Sequence, residues 1–363
     1  MRDFFHQVEE WYYRHERFVS AGALLLGFVI DNFTLTRVDL LFDNVVLLSY
    51  LVIAFVGIVV FNLIDIGKLR GHFFEKIAPL FPLLAQFAFG GLFSGYFIFY
   101  SRSASVFSSW VFVFILIALL IGNERFKKQY LRFRFQMSIF FIALFSFVIF
   151  SVPTFIGKIG THIFIFSGLL SVAIMICILW MLKNVMPEKI EATRNTLAAS
   201  ISGIFLLFNF LYFSNAIPPL PLSLKDIGLY HSAERMRDGY LVLYEDAPWY
   251  RFYRDYDTTF HLIPGESVYV FSSVFAPTRL ETKILHQWQK FDEETGIWTT
   301  TDTFSFPIVG GRDGGYRGFT RKSSVSGGKW RVNVITEHGQ IVGRISFYIK
   351  GVVDPVVLSE KIL

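Results

Sequence analysis

The chain has 363 residues, 53% hydrophobic and only 17% charged, with a mean hydropathy of +0.48; soluble domains carry about 25% charged residues, so this composition indicates an integral membrane protein. The single cysteine, Cys177, excludes a disulfide within the chain and a zinc site made of cysteines. The net charge of +5 arises entirely before Lys225, since the later residues carry 17 basic and 17 acidic side chains, so membrane topology accounts for it without a nucleic-acid partner.

The first 17 residues have the pattern of a helix lying at a membrane surface. Phe4, Val8, Trp11 and Tyr12 recur at helical spacing among charged residues. Aromatic side chains of this kind sit at the headgroup level of a bilayer. We therefore predict a cytoplasmic interfacial helix over residues 1–17.

Seven apolar segments follow, each close to the roughly 20 residues that a helix needs to cross a bilayer. The predicted transmembrane domain, residues 18–215, has spans at Phe18–Leu35, Val45–Ile64, Ile77–Tyr100, Ala104–Gly122, Met137–Ile156, His162–Leu182 and Leu197–Asn215. The segments on one side of these spans hold 14 basic residues and those on the other side hold 3. By the positive-inside rule the N-terminus is cytoplasmic. The C-terminal part is then outside, which for a bacterial inner membrane means periplasmic or extracellular.

Polar side chains interrupt the first span and the loop after it: Asp31, Asn32, Arg37, Asp39 and Asp43. Asp31 is predicted about 20 Å along the helix from Phe18, within the hydrocarbon layer, where a carboxylate needs a partner. One interpretation is an outward-facing pocket that binds an ion, a headgroup or a transported solute. The other is structural, with Arg37 neutralising a carboxylate and Asp43 or Asn44 capping the second helix.

The helical pattern ends where three prolines occur within four residues of NAIPPLPLSLKD. We predict a linker with a short helix over residues 216–239. Beyond Gly239 the hydrophobic period changes to two, in six runs separated by turn residues. Residues 240–363 are therefore predicted to form a small antiparallel β-sandwich, immunoglobulin-like in the broad sense, with a hairpin turning at His338-Gly339.

Two groups in this outer module are candidate binding residues. The stretch GGRDGGYRGFTRK carries Arg312, Tyr316, Arg317, Arg321 and Lys322. They either grip phosphate or carboxylate groups or form a hairpin with solvated charges. His286 and Trp288 share a strand face with Ile284. They either stack on a sugar or belong to the sandwich core, with the histidine at its rim.

The residues HQWQ, GYRGFTRKS and GKWRVNVITEHGQIVGRISFYI resemble the domain-of-unknown-function family "twenty-nine fourteen". The membrane hairpin DNFTLTRVDLLFDNVVLLSY is similar to that of bacterial multi-pass proteins that carry such a module. The resemblance covers the last hundred residues best. It implies a membrane location and a compact β-module at the C-terminus, but no activity and no catalytic residues.

No nucleophile elbow, phosphate loop, dinucleotide-binding fingerprint or HExxH pattern occurs. We therefore predict no catalytic residue, metal ligand or cofactor. The leading hypothesis is that the β-module of a bilayer-embedded protein binds an envelope glycan, a lipid headgroup or a protein partner, and no nucleic acid. The alternatives are a transporter that uses the Asp31–Asp43 region as a vestibule, and a membrane enzyme that acts on lipid or glycan with aspartates as acid and base.

Overall fold

A computed structural model of the chain describes residues 28–35, 40–78, 80–103, 114–120, 132–214, 216–217, 222–237, 239–248, 257–276, 281–309 and 316–363. The chain divides into two compact units. The helical unit contains most of the residues up to Ser214, and the β unit is built mainly from Asn215–Leu363.

The described residues form helices α1 (Leu41–Asp65), α2 (His72–Ile77), α3 (Leu80–Ser103), α4 (Phe133–Ile156), α5 (Thr161–Val185) and α6 (Pro187–Phe213). Residues 28–34 and 114–120 are also helical. Five segments are long and apolar enough to cross a membrane: Leu41–Asp65, Leu80–Phe99, Phe133–Ile156, Thr161–Val185 and Pro187–Phe213. They correspond to the second, third, fifth, sixth and seventh predicted spans.

The remaining predictions for this part of the chain fall largely outside the described residues. The structure describes only residues 28–35 of the predicted first span and residues 114–120 of the fourth. The predicted interfacial helix over residues 1–17 is not among the described residues. Seven spans therefore stay a prediction.

Helix α6 begins ten residues earlier than the predicted Leu197. Pro187 occupies its first turn, where a proline loses no helical hydrogen bond and its fixed φ suits the helix. The prediction was wrong because charged residues were assigned to a loop, whereas Lys189 lies in the helix. Its ammonium binds Asn62 Oδ1 at 2.7 Å and Asp65 Oδ2 at 2.5 Å, both on α1.

Polar and small side chains set the helix contacts in this unit. Asn62 is fully buried and donates to Gln136 Oε1 on α4 at 2.7 Å. A hydrogen bond between spans removes polar groups from lipid and fixes the rotation of each helix. Gly91 on α3 faces the ring of Tyr50 on α1, and a Cβ placed there would lie 2.7 Å from a ring carbon. These two helices can approach as they do because residue 91 has no side chain.

The β unit contains eleven strands: β1 (Ser223–Tyr230), β2 (Ser232–Arg235), β3 (Tyr240–Tyr244), β4 (Thr259–Leu262), β5 (Val268–Phe275), β6 (Glu281–Asp292), β7 (Ile297–Val309), β8 (Tyr316–Lys322), β9 (Gly328–Thr336), β10 (Ile341–Gly351) and β11 (Ser359–Ile362) within the described residues. Their sheet orders are β1-β5-β8, β4-β10-β9-β6-β7 and β11-β3-β2. The five-stranded sheet holds the hairpin predicted at His338-Gly339, where Gly339 has a φ of 79°.

Two predictions for the β unit need correction. The segment predicted as a short helix forms strands β1 and β2, because Ser223–Tyr230 pairs along its length with β5. That pairing partner lies about 45 residues away in sequence, beyond the reach of local helix signals. The strands are also not all antiparallel, since β4 pairs with β10 in parallel.

The main core of the β unit lies between the first two sheets. Leu229 of β1 and Val270 of β5 pack in one cluster with residues of the five-stranded sheet, among them Trp288, Trp330 and Val332. Trp288 is fully buried. Burying a large apolar side chain contributes about 1.5–3 kcal/mol to the stability of the fold. These buried residues therefore determine which face of the five-stranded sheet packs in the core, and the opposite face points outward.

Replacing Gly91 with Ala is expected to destabilise the helical unit, because the new methyl group meets the rigid ring of Tyr50. Overpacking of this kind costs about 1–3 kcal/mol, more than the helix propensity that alanine adds. Thermal unfolding of the detergent-solubilised protein measures the effect. Gly203→Ala is the matched control, since no atom lies within 4 Å of its added Cβ. Equal stability of the two variants would contradict the close contact.

Candidate ligand-binding face of the β unit

The residues predicted for the membrane hairpin differ in their exposure to solvent. Asp31 and Asp43 are 9% and 1% exposed, while Asn32 is exposed. Arg37 and Asp39 lie outside the described residues. Asp43 is in the first turn of α1, but the N-cap is Leu40 and no side chain caps the helix. The predicted cap at Asp43 or Asn44 is therefore wrong; Asn44 Nδ2 instead donates to Leu40 O at 3.0 Å.

The basic residues of the glycine-rich stretch do not converge on one surface. Arg312 is outside the described residues, and the other three basic residues lie on β8, together with Tyr316. Arg317 Nη1 donates to Leu363 O at 3.0 Å, and Arg321 Nε donates to Ser267 Oγ at 3.1 Å. Lys322 points to the opposite side of the strand, is nearly buried and pairs with Asp302. The fifth residue, Tyr316, is half-buried against the apolar cluster that contains Val274 and Ile284.

His286 and Trp288 lie in the core, and each is fully buried. The ring nitrogens of His286 are 2.7 Å from Ser272 Oγ and 2.9 Å from Thr320 Oγ1, and Trp288 Nε1 donates to Thr320 Oγ1 at 3.1 Å. Burial lowers the pKa of His286 to about 3, so its ring is neutral at physiological pH. These side chains form hydrogen bonds between the two sheets and are not accessible to a ligand in solvent.

The strongest candidate surface is one that the sequence did not predict. It is the outward face of the five-stranded sheet, here called the polar sheet face, and it comprises Gln287, Gln289, Trp298, Arg331, Asn333, Arg344 and Tyr348. Side chains alternate between the two faces of a strand. Because Trp288, Trp330 and Val332 point into the core, their neighbours on β6 and β9 point outward.

The polar sheet face is a connected hydrogen-bond network. Asn333 Nδ2 donates to Gln287 Oε1 at 2.9 Å and to Gln289 Oε1 at 3.1 Å. Gln289 Nε2 in turn donates to Thr300 Oγ1 at 2.9 Å. Asn333 is only 3% exposed and Gln289 9%. The amides therefore form a fixed layer that supports the more exposed side chains above it.

Two arginines are hydrogen-bonded to this layer of amides. Arg331 Nε donates to Gln289 Oε1 at 2.6 Å, and Arg344 Nε donates to Asn333 Oδ1 at 2.6 Å. The Arg331 guanidinium also lies 4.2 Å from the ring centre of Trp298, a cation–π contact that fixes its orientation. Partial burial, and then the charge of Arg344, lower the pKa of Arg331, and partial burial lowers that of Arg344.

A second polar cluster joins elements from all three sheets. His231, between β1 and β2, contacts Glu266 Oε1 through Nδ1 at 2.7 Å and Glu245 Oε1 through Nε2 at 3.0 Å. Glu245 also accepts from the backbone N of His261 at 2.7 Å and lies 2.6 Å from its Nδ1. His231 stacks on Phe260, with 4.0 Å between ring centres.

The charges of this cluster reinforce one another. Burial alone would lower the pKa of His231, but the hydrogen bonds and charges of Glu245 and Glu266 outweigh it and raise the pKa above its ordinary value. Burial likewise opposes ionisation of Glu245, yet the bonds from His231 and His261 hold its pKa below the usual range. Because His231 and His261 contact these carboxylates from different strands, we interpret this cluster as an ionic link between strands. Among the described residues, no group of three or more His, Cys, Asp or Glu is arranged to hold a metal ion.

Comparison with known proteins identifies one family, over part of the chain. Residues 281–349 match the family described as "Protein of unknown function (DUF2914)", which confirms the resemblance drawn from the sequence. The matched region runs from the start of β6 into β10 and contains the whole polar sheet face. No curated protein matches the chain.

One solved structure, Pseudomonas fluorescens alkylpurine DNA glycosylase AlkC bound to DNA containing an abasic site analog, aligns over 87% of this chain and 99% of that one. The identity is 9% and the TM-score 0.22. A likeness at that level supports no conclusion about this chain.

Replacing His231 with Gln is expected to lower the free energy of unfolding of the β unit by about 2 kcal/mol near pH 5.5, since hydrogen bonds to charged groups are lost. The raised pKa of His231 stabilises the fold at pH values below about 6.5, the pKa of a histidine in the unfolded chain. This stabilisation is lost as the pH rises through the pKa that His231 has in the folded state. The lowered pKa of Glu245 stabilises the fold above about pH 4.3 and is lost as pH falls through the folded value. The difference should therefore be largest between about pH 4.3 and 6.5 and shrink as the pH rises above that range through the folded pKa of His231.

Urea unfolding of the full-length protein in detergent, followed by tryptophan fluorescence at several pH values, measures this difference. His72→Gln serves as the control, because His72 is exposed and lies in α2. A pH-independent difference between wild type and His231→Gln would contradict the ionic link.

Proposed function

We propose that this protein is a multi-pass protein of the bacterial cytoplasmic membrane whose β unit lies outside and binds an envelope ligand or partner. The observation that carries the proposal is the polar sheet face, in which amide, aromatic and arginine side chains are fixed by one another and not merely solvated. A preorganised surface loses little conformational entropy on binding. Such a network is therefore suited to recognition.

The membrane part of the proposal rests on composition and charge. Five helices have the length and hydropathy of membrane spans, and the basic residues are distributed 14 to 3 between the two sets of predicted loops. Seven spans with a cytoplasmic N-terminus leave the β unit on the periplasmic or outer side. Its core between two sheets agrees with a sandwich that is immunoglobulin-like in the broad sense.

The chemistry of the polar sheet face favours a polar ligand with flat apolar surfaces, such as a saccharide. Gln287 presents an amide and Tyr348 an aromatic ring that is 45% exposed. Amides hydrogen-bond hydroxyl groups, and aromatic rings pack on the C–H faces of sugars. Tyr348 lies diagonally across from Arg331, one strand over, so one ligand can contact both.

A transport function is the alternative, and one observation favours it. Two carboxylates, Asp31 and Asp43, are shielded within the helical unit. Acidic side chains inside a membrane bundle often mark a path for ions or solutes. In this alternative the Asp31–Asp43 region forms the outer vestibule of the path.

Replacing Tyr348 with Ala is expected to weaken ligand binding about tenfold or more, because the ring's contact with the ligand is lost; stacking of a nucleic-acid base on an aromatic ring, a comparable contact, is worth about 1–3 kcal/mol. Full-length protein in nanodiscs would be screened against envelope glycans, lipid headgroups and envelope proteins, and hits titrated with the variant. Ile297→Ala is the matched control, since Ile297 is an exposed apolar residue, 62% accessible, that is not part of the polar sheet face. Ligands that bind both variants with wild-type affinity would contradict a role for this face.

A reporter enzyme fused after Leu363 tests the orientation. Alkaline phosphatase, which is active only outside the cytoplasm, should be active there, and a cytoplasmic reporter at the same position should not fluoresce or turn over substrate. The reverse pattern would overturn the orientation and with it the envelope ligand.

A further inference from the structure

The polar sheet face holds two arginines in a fixed relation to each other. Arg331 on β9 pairs with Ser346 of β10, and Arg344 lies two residues before Ser346. They are therefore diagonal neighbours on one face, about 7–8 Å apart between Cα atoms. Each is tied down by its Nε atom, to Gln289 and to Asn333.

Anchoring through Nε leaves the outer ends of both guanidinium groups available. An arginine carries five N–H donors, four of them on the two Nη atoms. No described residue accepts a hydrogen bond from an Nη atom of Arg331 or Arg344. The same amide layer therefore occupies one donor of each arginine and leaves the Nη donors unpaired among the described residues.

The positive charge of the pair is not neutralised within the described residues. No described carboxylate forms an ion pair with Arg331 or Arg344, whereas Lys322 pairs with Asp302 and Lys189 with Asp65. The charge of Arg344 is close enough to disfavour that of Arg331. Two like charges held together at a cost in stability are suited to an anion that bridges them.

We propose that Arg331 and Arg344 bind an oxyanion group, a carboxylate or a phosphate, of an acidic saccharide. The inference rests on the proposed function and names its ligand class. The guanidinium groups bind the oxyanion through their Nη atoms, Tyr348 packs on the sugar ring beside Arg331, and the Trp298 contact keeps Arg331 in place. Arginine remains protonated with a lowered pKa, so the site is charged over the physiological pH range.

The test uses full-length protein in phosphatidylcholine nanodiscs, whose surface carries no net charge. Three probes are titrated by calorimetry: a glucuronate-containing oligosaccharide, a sugar phosphate, and a neutral glucose oligosaccharide of equal length. Acidic probes should bind at least tenfold more tightly than the neutral one, and the preferred probe distinguishes a carboxylate from a phosphate. The affinity should fall with added salt.

Arg331→Gln and Arg344→Gln should each reduce acidic-probe binding about tenfold or more, since each removes charge-assisted hydrogen bonds. Arg331→Lys should lose less, because it keeps the charge and the contact with Trp298, and it guards against a folding defect. Arg317→Gln, on β8, is the matched control and should bind as wild type does.

Equal binding of neutral and acidic oligosaccharides, still sensitive to Tyr348→Ala, would overturn the oxyanion site and leave the proposed function standing. Acidic binding unchanged in both arginine variants would also overturn it. If no saccharide binds, the inference fails, while the proposed function is decided by the wider screen of headgroups and envelope proteins.

Discussion

Strand β9 is the element on which the β unit depends, because its two faces are held by opposite chemistry. On one face Trp330, Val332 and Val334 are buried in the clusters between the sheets. On the other, Arg331 and Asn333 join the amide network of β6 and β10. A shift of pairing by one residue would put the arginine in the core and the indole in water, so the register is strongly specified. The polar sheet face is thus a consequence of the core beneath it.

Histidine illustrates how position decides chemistry in this unit. His286 contacts two hydroxyl groups and the ring of Phe306, no carboxylate of the described residues pairs with it, and burial keeps it neutral. His231 is almost as buried but contacts two carboxylates, and it takes the charged form more readily than an ordinary histidine. Desolvation disfavours the charged form of both histidines, so the groups that each ring contacts decide whether its pKa is raised or lowered. One histidine fills the core, and the other links strands through charge.

The helical unit combines two kinds of contact that suit apolar surroundings. Phenylalanine rings fill space between helices, as at Phe145, whose ring centre lies 4.4 Å from that of Phe208. Polar contacts such as the hydrogen bond between Asn62 and Gln136 fix how the helices are rotated relative to each other. Apolar packing alone has little preference for one rotation of a helix in lipid, whereas a hydrogen bond between spans does. Lys189 extends this network to the end of α1 through Asp65.

The sequence by itself determined five of the long apolar helices, strands β3, β5, β6, β7, β9 and β10, and the family resemblance, because hydrophobic length and period are local signals. Strand β1 could not be predicted, since pairing with the distant β5, and not its own residues, makes it a strand. The four-residue β2 pairs with β3, the next strand in the chain, and was also missed. The candidate site likewise depended partly on residue types visible in the sequence and partly on contacts that only the fold creates. His286 and Trp288 were conspicuous as residue types, but the fold buries them. Arg331 and Arg344 are 13 residues apart and form no motif; only the β9–β10 register brings them together. Alternation around Trp330 already implied that Arg331 points outward, but what stands next to it was decided by tertiary structure.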